Sequence, residues 1–154
     1  LYELAQTLLR APSTLSEAER ELIATFVSSR NECVFCTMSH AAAARILFGD
    51  AAHTVDEVLE NPDTAPISDK FKSLLVIAGK VQKGGRIVTD EDVENARKLG
   101  ATDMEIHDTV LIAATFSMFN RYVDGLASFT PTSQEEYAEM GKRMSTLGYI
   151  LPSR

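Results

Sequence analysis

Signals that start helices recur along this sequence, and they constrain the fold more than any other feature. Ser16 and Glu19 form a capping box, in which each side chain can bind a backbone N–H of the first helical turn. Residues 102–105 form another, and residues 89–92 resemble one. Apolar side chains follow at three- and four-residue spacing, whereas no alternating strand pattern is longer than a few residues. The sequence therefore predicts an all-α fold, a compact bundle of short and medium helices.

Caps, glycines and prolines set the limits of the expected helices. Asn31 is expected to cap a helix that runs from about residue 32 to Phe48. Ser68 is expected to cap another, which Gly84 ends. The remaining helices are expected within residues 1–9, 16–30, 54–61, 90–100, 103–128 and 130–149.

Length and charge narrow the classes of protein to which the chain can belong. The chain has 154 residues, which fits one domain spanning 1–154 with a sizeable core. Its formal net charge of −7 disfavours binding to the phosphates of nucleic acid. No run of about 20 apolar residues predicts a membrane span, and no secretory signal peptide is visible. We expect a cytoplasmic protein that binds neither nucleic acid nor membrane.

Both cysteines of the chain lie in one short motif. Cys33 and Cys36 are followed by His40, and on a regular helix these three side chains lie within about 60° of one another. Two thiols at this spacing can close a disulfide, and a nearby imidazole can take a thiol proton. The helix N-terminus favours Cys33 as the nucleophile, whereas the histidine four residues further on favours Cys36. The residues alone leave this choice open.

Three other interpretations of the motif compete with dithiol chemistry. The cysteines could pack as small apolar residues in a core. They could bind zinc together with His53 and His107, although neither histidine lies in a ligand pattern. A thioredoxin fold also uses a CxxC motif, but it needs a strand before the motif, and here a helix precedes it. Because the two histidines lie in no ligand pattern, we expect no bound metal.

Glu21 and His40, at fixed offsets from the cysteines, make the motif specific. Eleven residues separate Glu21 from Cys33, two separate the cysteines, and three lie between Cys36 and His40. This E-x11-C-x2-C-x3-H pattern, in an all-helical context, resembles the AhpD-like alkyl hydroperoxidases of the carboxymuconolactone decarboxylase superfamily. The stretches 15–45 and 88–127 are similar to the peroxidase-related branch, and the resemblance covers roughly residues 10–130.

The resemblance implies a fold, an assembly and a reaction. The fold would be an AhpD-like helical bundle that assembles as a homo-oligomer, either a trimer or a hexamer. Cys36 would attack a hydroperoxide and become a sulfenic acid, Cys33 would resolve it as a disulfide, and His40 and Glu21 would form the proton relay. A separate dithiol protein would be the reductant. No haem, flavin or nicotinamide motif is visible in the sequence, so no bound cofactor is expected. The best-studied type of the family carries histidine where this chain has Phe35, so the relay has one member fewer.

Two other functions are compatible with the same fold. One is a redox sensor or assembly protein, in which the disulfide changes packing without turnover. The other is lactone decarboxylation, against which the dithiol argues, because that chemistry needs acid–base groups rather than thiols.

Several polar residues and the last helix carry further expectations. From periodicity alone, Glu21 is expected at the surface. Asn120 and Arg121 are expected either as a helix-end pair, with Arg121 bound to Asp124, or as part of a subunit interface. The last helix is a candidate interface element through Tyr137, Met140, Met144 and Tyr149.

Overall fold

Helices make up most of the molecule, whose computed structural model describes residues 1–150. No strand occurs in that range, so the prediction of an all-α fold is confirmed. None of the helices in these residues combines the length and the apolar character that a membrane crossing needs. The α-helices are α1 (Tyr2–Arg10), α2 (Glu17–Arg30), α3 (Val34–Phe48), α4 (Thr54–Glu60), α5 (Asp69–Lys83), α6 (Asp90–Lys98), α7 (Asp103–Gly125) and α8 (Gln134–Leu147).

The expected capping boxes form at the starts of three helices. At α2, the Ser16 hydroxyl accepts the Glu19 backbone N–H at 3.2 Å, and the Glu19 carboxylate accepts the Ser16 backbone N–H at 2.8 Å. Thr89 and Thr102 begin α6 and α7 in the same reciprocal way. Ser68 caps α5 through its side chain. Local sequence signals therefore place these four helix starts correctly.

The start of α3 differs from the prediction. The helix begins one residue after Cys33, which is its N-cap residue, whereas Asn31 ends α2 as its C-cap residue. Glu32 between them has a φ of 60°, a left-handed conformation that no helix can continue through. Because Cys33 is the N-cap residue, the expectation that it lies within the first helical turn is wrong, although its thiol still meets that of Cys36 through a hydrogen bond.

The central helix of the molecule is α2. It packs against α1, α3, α4, α5 and α7, and ten of its residues are buried. A helix surrounded on this many sides buries whatever its sequence carries, including polar residues. The fully buried apolar side chains of α2, α5 and α7 include Leu22, Ile23, Val27, Leu74, Ile77 and Ile112.

The last described helix, α8, packs closely on α3. A Cβ atom at Gly141 would lie 2.7 Å from the carbonyl carbon of Ala42, so the two backbones approach each other at a point where only glycine fits. Tyr137 and Tyr149, at the two ends of this element, are 5% and 8% exposed. Tyr137 and Tyr149 are thus buried within their own chain, and any role of α8 in a subunit interface stays a prediction.

Candidate active site

The two cysteines differ in their access to solvent. Cys33 is fully buried and Cys36 is 4% exposed, and both thiols are free. Cys36 contributes to the lining of a cleft, to which Cys33 does not contribute. A molecule in the cleft can therefore reach Cys36, with Cys33 behind it.

The packing of α2 against α3 brings Glu21 and His40 together. His40 Nδ1 lies 2.7 Å from Glu21 Oε2, and the imidazole ring meets the Phe116 ring edge-to-face at 4.6 Å. Glu21 is fully buried, so the surface position expected from periodicity is wrong. The reason is the central place of α2, which the periodicity of one helix does not reveal.

Two residues outside the motif complete the environment of Glu21. Arg10 Nη2 donates to Glu21 Oε1 at 2.6 Å, and the Tyr149 hydroxyl donates to the same oxygen at 2.7 Å. The Tyr149 hydroxyl also lies 3.1 Å from His40 Nδ1. Both carboxylate oxygens thus have hydrogen-bond partners, as a buried charge requires. We call Arg10, Glu21, His40 and Tyr149 the carboxylate cluster.

Sequence reasoning missed Arg10 and Tyr149 as members of this cluster. Arg10 lies in the last turn of α1, and Tyr149 follows the end of α8. Neither belongs to the motif, and the sequence instead makes Tyr149 a candidate for a subunit interface. The one available signal was indirect, because a glutamate that is buried needs a cation or several donors nearby.

The carboxylate cluster sets the protonation of two of its members. Burial would raise the pKa of Glu21, but the charge and hydrogen bond of His40, together with Arg10 and Tyr149, lower it below the ordinary value. Burial and the charge of Glu21 raise the pKa of Tyr149 well above the ordinary value. At neutral pH, Glu21 is therefore a carboxylate and Tyr149 a hydrogen-bond donor.

Both thiols are held in their protonated form. Burial is the main cause that raises the pKa of Cys33 to about 12, and the neighbouring Cys36 thiol adds to it. Burial also raises the pKa of Cys36, although hydrogen bonds from Cys33 and Asn120 act in the opposite direction. Forming a thiolate at Cys36 thus needs a base, and no hydrogen bond joins His40 to either thiol in the part of the chain described.

Asn120 is buried between α7 and the end of α2, whereas the sequence placed it at a helix end or in a subunit interface. It is 1% exposed, donates to the Ser28 hydroxyl at 2.9 Å and accepts from Asn31 Nδ2 at 2.8 Å. These bonds link α7 to the end of α2, directly before the cysteines. Arg121 is exposed and donates to the Ser117 carbonyl at 2.7 Å rather than pairing with Asp124, so the expected helix-end ion pair is wrong.

The cleft at Cys36 and His40 is predominantly apolar. It has a volume of about 510 Å³, and its walls come from α1, α3, α7, α8 and the residues after α8. Because Nδ1 of His40 is engaged by Glu21, Nε2 is the nitrogen left for proton exchange with a molecule in the cleft. The apolar lining includes Phe35, Phe116, Phe119, Tyr122, Met140 and Met144.

A family model covers the half of the chain that carries the motif. Residues 1–78 match the model described as "Carboxymuconolactone decarboxylase family". The chain belongs to the carboxymuconolactone decarboxylase family. The matched residues include Arg10, Glu21, both cysteines and His40, whereas Tyr149 lies outside them. No curated protein gives a significant match to this family member.

Two solved structures of similar fold support the same assignment. An uncharacterized peroxidase-related protein from Silicibacter sp. TM1040 is 31% identical, with a TM-score of 0.79, and the alignment covers 88% of this chain and 69% of that one. A structure described as an alkylhydroperoxidase AhpD core, an uncharacterized peroxidase-related protein from Ralstonia eutropha JMP134, is 28% identical, with a TM-score of 0.80. That alignment covers 92% of this chain and 72% of the other. The resemblance to the AhpD-like superfamily is thereby confirmed.

The histidines considered as zinc ligands lie apart from the cysteines in this family member. His53 is exposed and lies 3.9 Å from the Glu57 carboxylate, and His107 is exposed on α7. Within residues 1–150, no three histidine, cysteine, aspartate or glutamate side chains are grouped as a metal site would require. Phe35, at the position between the cysteines, contributes to the apolar wall of the cleft.

Proposed function

We propose that the protein is a thiol-dependent hydroperoxide reductase that uses Cys36 and Cys33. The observation that carries the proposal is that Cys36 and His40 line one apolar cleft, while His40 is bonded to a buried carboxylate at 2.7 Å. A thiol of raised pKa needs a nearby base, and an imidazole polarised by a carboxylate is such a base. The peroxidase-related description of the two similar structures supports the same class of reaction.

The proposed reaction begins with proton transfer from Cys36 to Nε2 of His40. The thiolate attacks the terminal oxygen of the hydroperoxide, so that an S–O bond forms while the O–O bond breaks. The departing alkoxide takes the proton from His40 and leaves as an alcohol, and Cys36 becomes a sulfenic acid. Glu21 holds the imidazole in position and stabilises its charged form, which Tyr149 and Arg10 support by fixing the carboxylate.

Cys33 completes the proposed cycle. Its sulfur attacks the Cys36 sulfur, an S–S bond forms, and the sulfenic hydroxyl leaves with the Cys33 proton as water. The burial of Cys33 behind Cys36 suits this resolving role, because peroxide in the cleft meets Cys36 first. A dithiol protein then supplies two electrons and two protons that restore both thiols. We also propose that the chain works as a trimer or a hexamer, which light scattering would measure.

A second candidate function is a redox sensor, in which the disulfide forms once and alters packing. The raised pKa of both thiols favours it, because a largely protonated thiol reacts slowly with peroxide. The two candidates differ in turnover rather than in the oxidised product.

The experiment follows peroxide loss with dithiothreitol as the dithiol donor, and separately whole-protein mass after the reduced protein, freed of dithiothreitol, reacts with peroxide. The peroxidase predicts many turnovers with wild type, a trapped oxygen atom at Cys36 in Cys33→Ser, and no peroxide-dependent change in Cys36→Ser. The sensor predicts oxidation by one equivalent and no sustained consumption. Turnover at the wild-type rate in Cys36→Ser would exclude both roles assigned to Cys36.

A further inference from the structure

We infer that the cleft selects hydroperoxides that carry an apolar chain ending in a carboxylate, with Arg143 as the partner of that carboxylate. The inference rests on the proposed function, since it assumes that the reacting group lies at Cys36. Hydroperoxides of unsaturated fatty acids have this chemistry, because they combine a hydroperoxyl group, a long hydrocarbon chain and one carboxylate.

The size and the lining of the cleft match an apolar chain rather than hydrogen peroxide. A volume of about 510 Å³ falls in the range of roughly 300–1,000 Å³ typical of small-molecule sites. Aromatic rings from α3 and α7 and methionines from α8 form its walls. Near the cleft, Tyr2 and Tyr122 leave 52% and 53% of their surface exposed. Apolar surface that stays open to water in this way is typical of a binding site.

Arg143 is the one permanently charged residue among the described residues that line the cleft. It is exposed, and it forms no ion pair with any acidic residue in the described range 1–150. Arg10, by contrast, already donates through Nη2 to Glu21 and to the Met144 carbonyl. A guanidinium with a free planar fork can bind a carboxylate with two parallel hydrogen bonds.

The order of residues on α8 gives the ligand a direction. Met140 Sδ lies 3.7 Å from the Ser39 hydroxyl, so this part of α8 meets α3 at the residue next to His40. Arg143 follows Met140 by three residues and therefore lies on the same helical face, one turn further along. A ligand with its hydroperoxyl group at Cys36 would pass Met140 and place its carboxylate at Arg143.

The net charge of −7 disfavours anions at long range, but it does not exclude this local contact. Charges further away than about 8 Å are largely screened at physiological ionic strength, so the nearest cation dominates. Because Arg143 is exposed, its ion pair should strengthen binding only roughly two- to fivefold. Each additional methylene buried in the cleft should strengthen binding roughly three- to fourfold.

The first test measures binding without any peroxide. Calorimetry on the reduced protein compares octanoate, decanoate and dodecanoate with the methyl ester of each. We expect affinity to rise with chain length for both series, and the acids to bind roughly two- to fivefold more tightly than the esters. In Arg143→Gln the acids should bind no more tightly than the esters, while the dependence on chain length persists. Lys142→Gln removes the same charge from an exposed neighbour that does not line the cleft, and should leave the preference for acids unchanged.

The second test measures consumption of linoleate hydroperoxide, its methyl ester and hydrogen peroxide. The inference predicts a lower KM for the free acid than for the ester, and loss of this difference in Arg143→Gln. Affinity independent of chain length, or an acid preference that survives in Arg143→Gln, would overturn it. If dodecanoate binds as expected but no hydroperoxide is consumed, the proposed function fails, whereas the binding of apolar chains that end in a carboxylate is supported. If hydrogen peroxide is turned over but no acid or ester binds, the ligand class fails alone.

Discussion

Replacing Tyr149 with phenylalanine tests the carboxylate cluster by removing one oxygen atom. The ring would keep its contacts, since it stacks on His40 at 5.9 Å and the Arg10 guanidinium lies 5.2 Å from its centre. The hydroxyl that donates to Glu21 at 2.7 Å would be lost. A hydrogen bond to a charged group contributes about 1.5–3 kcal/mol. We expect Tyr149→Phe to lower the free energy of unfolding at pH 7 by that amount in urea denaturation.

The same substitution has a predictable dependence on pH. Because the pKa of Glu21 is lowered in the folded protein, its contacts stabilise the fold fully above its unfolded pKa of about 4.3. This stabilisation is lost as the pH falls through the lower, folded pKa. The Tyr149 hydroxyl is one of the donors that lower the pKa of Glu21, so the free energy of unfolding of Tyr149→Phe should fall less with acid than that of wild type. The difference from wild type should be complete above about pH 5 and shrink below it.

Tyr137→Phe is the matched control. Tyr137 is as buried as Tyr149, but its hydroxyl donates to the uncharged Pro131 carbonyl at 3.0 Å. Its removal should cost about 0.5–1.5 kcal/mol at every pH between about 3 and 7, because neither partner titrates there. A loss in Tyr149→Phe below about 0.5 kcal/mol, or one that stays constant over the same range, would refute the proposed environment of Glu21.

Three further substitutions or treatments have defined outcomes. Arg10→Met leaves the buried Glu21 charge without its permanent cation, so it should lower the free energy of unfolding by about 3–5 kcal/mol in urea denaturation at pH 7. A decrease below about 1 kcal/mol would argue against a buried carboxylate. Gly141→Ala forces α8 away from α3 and should lower the free energy of unfolding by about 1–3 kcal/mol. Gly79→Ala is the control, because an added Cβ there meets a side chain at an ordinary 3.5 Å, and it should leave the free energy of unfolding unchanged or raise it. Alkylation of Cys36 by iodoacetamide should be slower at pH 7 than that of a free thiol and still rise above about pH 8.5, and a plateau below that pH would contradict the raised pKa.

Local signals in the sequence predicted much of the fold, because a capping box acts within one turn of a helix. Ser16 and Thr102 begin α2 and α7 as expected. The start of α3 was missed because Glu32 adopts a left-handed conformation that its residue type does not favour. The prediction therefore placed Cys33 inside the helix, whereas it is the N-cap residue, and the order of the motif along the chain is unaffected.

The candidate site was predictable only in part for a different reason. Glu21 and His40 come from adjacent helices, and the motif names both. Arg10 and Tyr149 reach Glu21 from α1 and from the segment after α8, and no motif or helical spacing connects these two positions to Glu21. The place of Arg143 at the cleft was equally invisible, because it depends on which wall of the cleft α8 forms.

The contacts of Glu21 also imply an order of assembly. Glu21 and His40 are only 19 positions apart in the sequence, whereas Glu21 and Tyr149 are 128 positions apart. Closing a longer loop costs more entropy, and during synthesis the earlier segments emerge first. The nascent chain can therefore pair its glutamate and histidine while the tyrosine has yet to be made and one wall of the cleft is missing. Folding kinetics of Tyr149→Phe should then show an unchanged folding rate and faster unfolding, a φ-value near zero. Cys33 and Cys36 would thus be present, with the helices around them folded, before the cleft at Cys36 is complete.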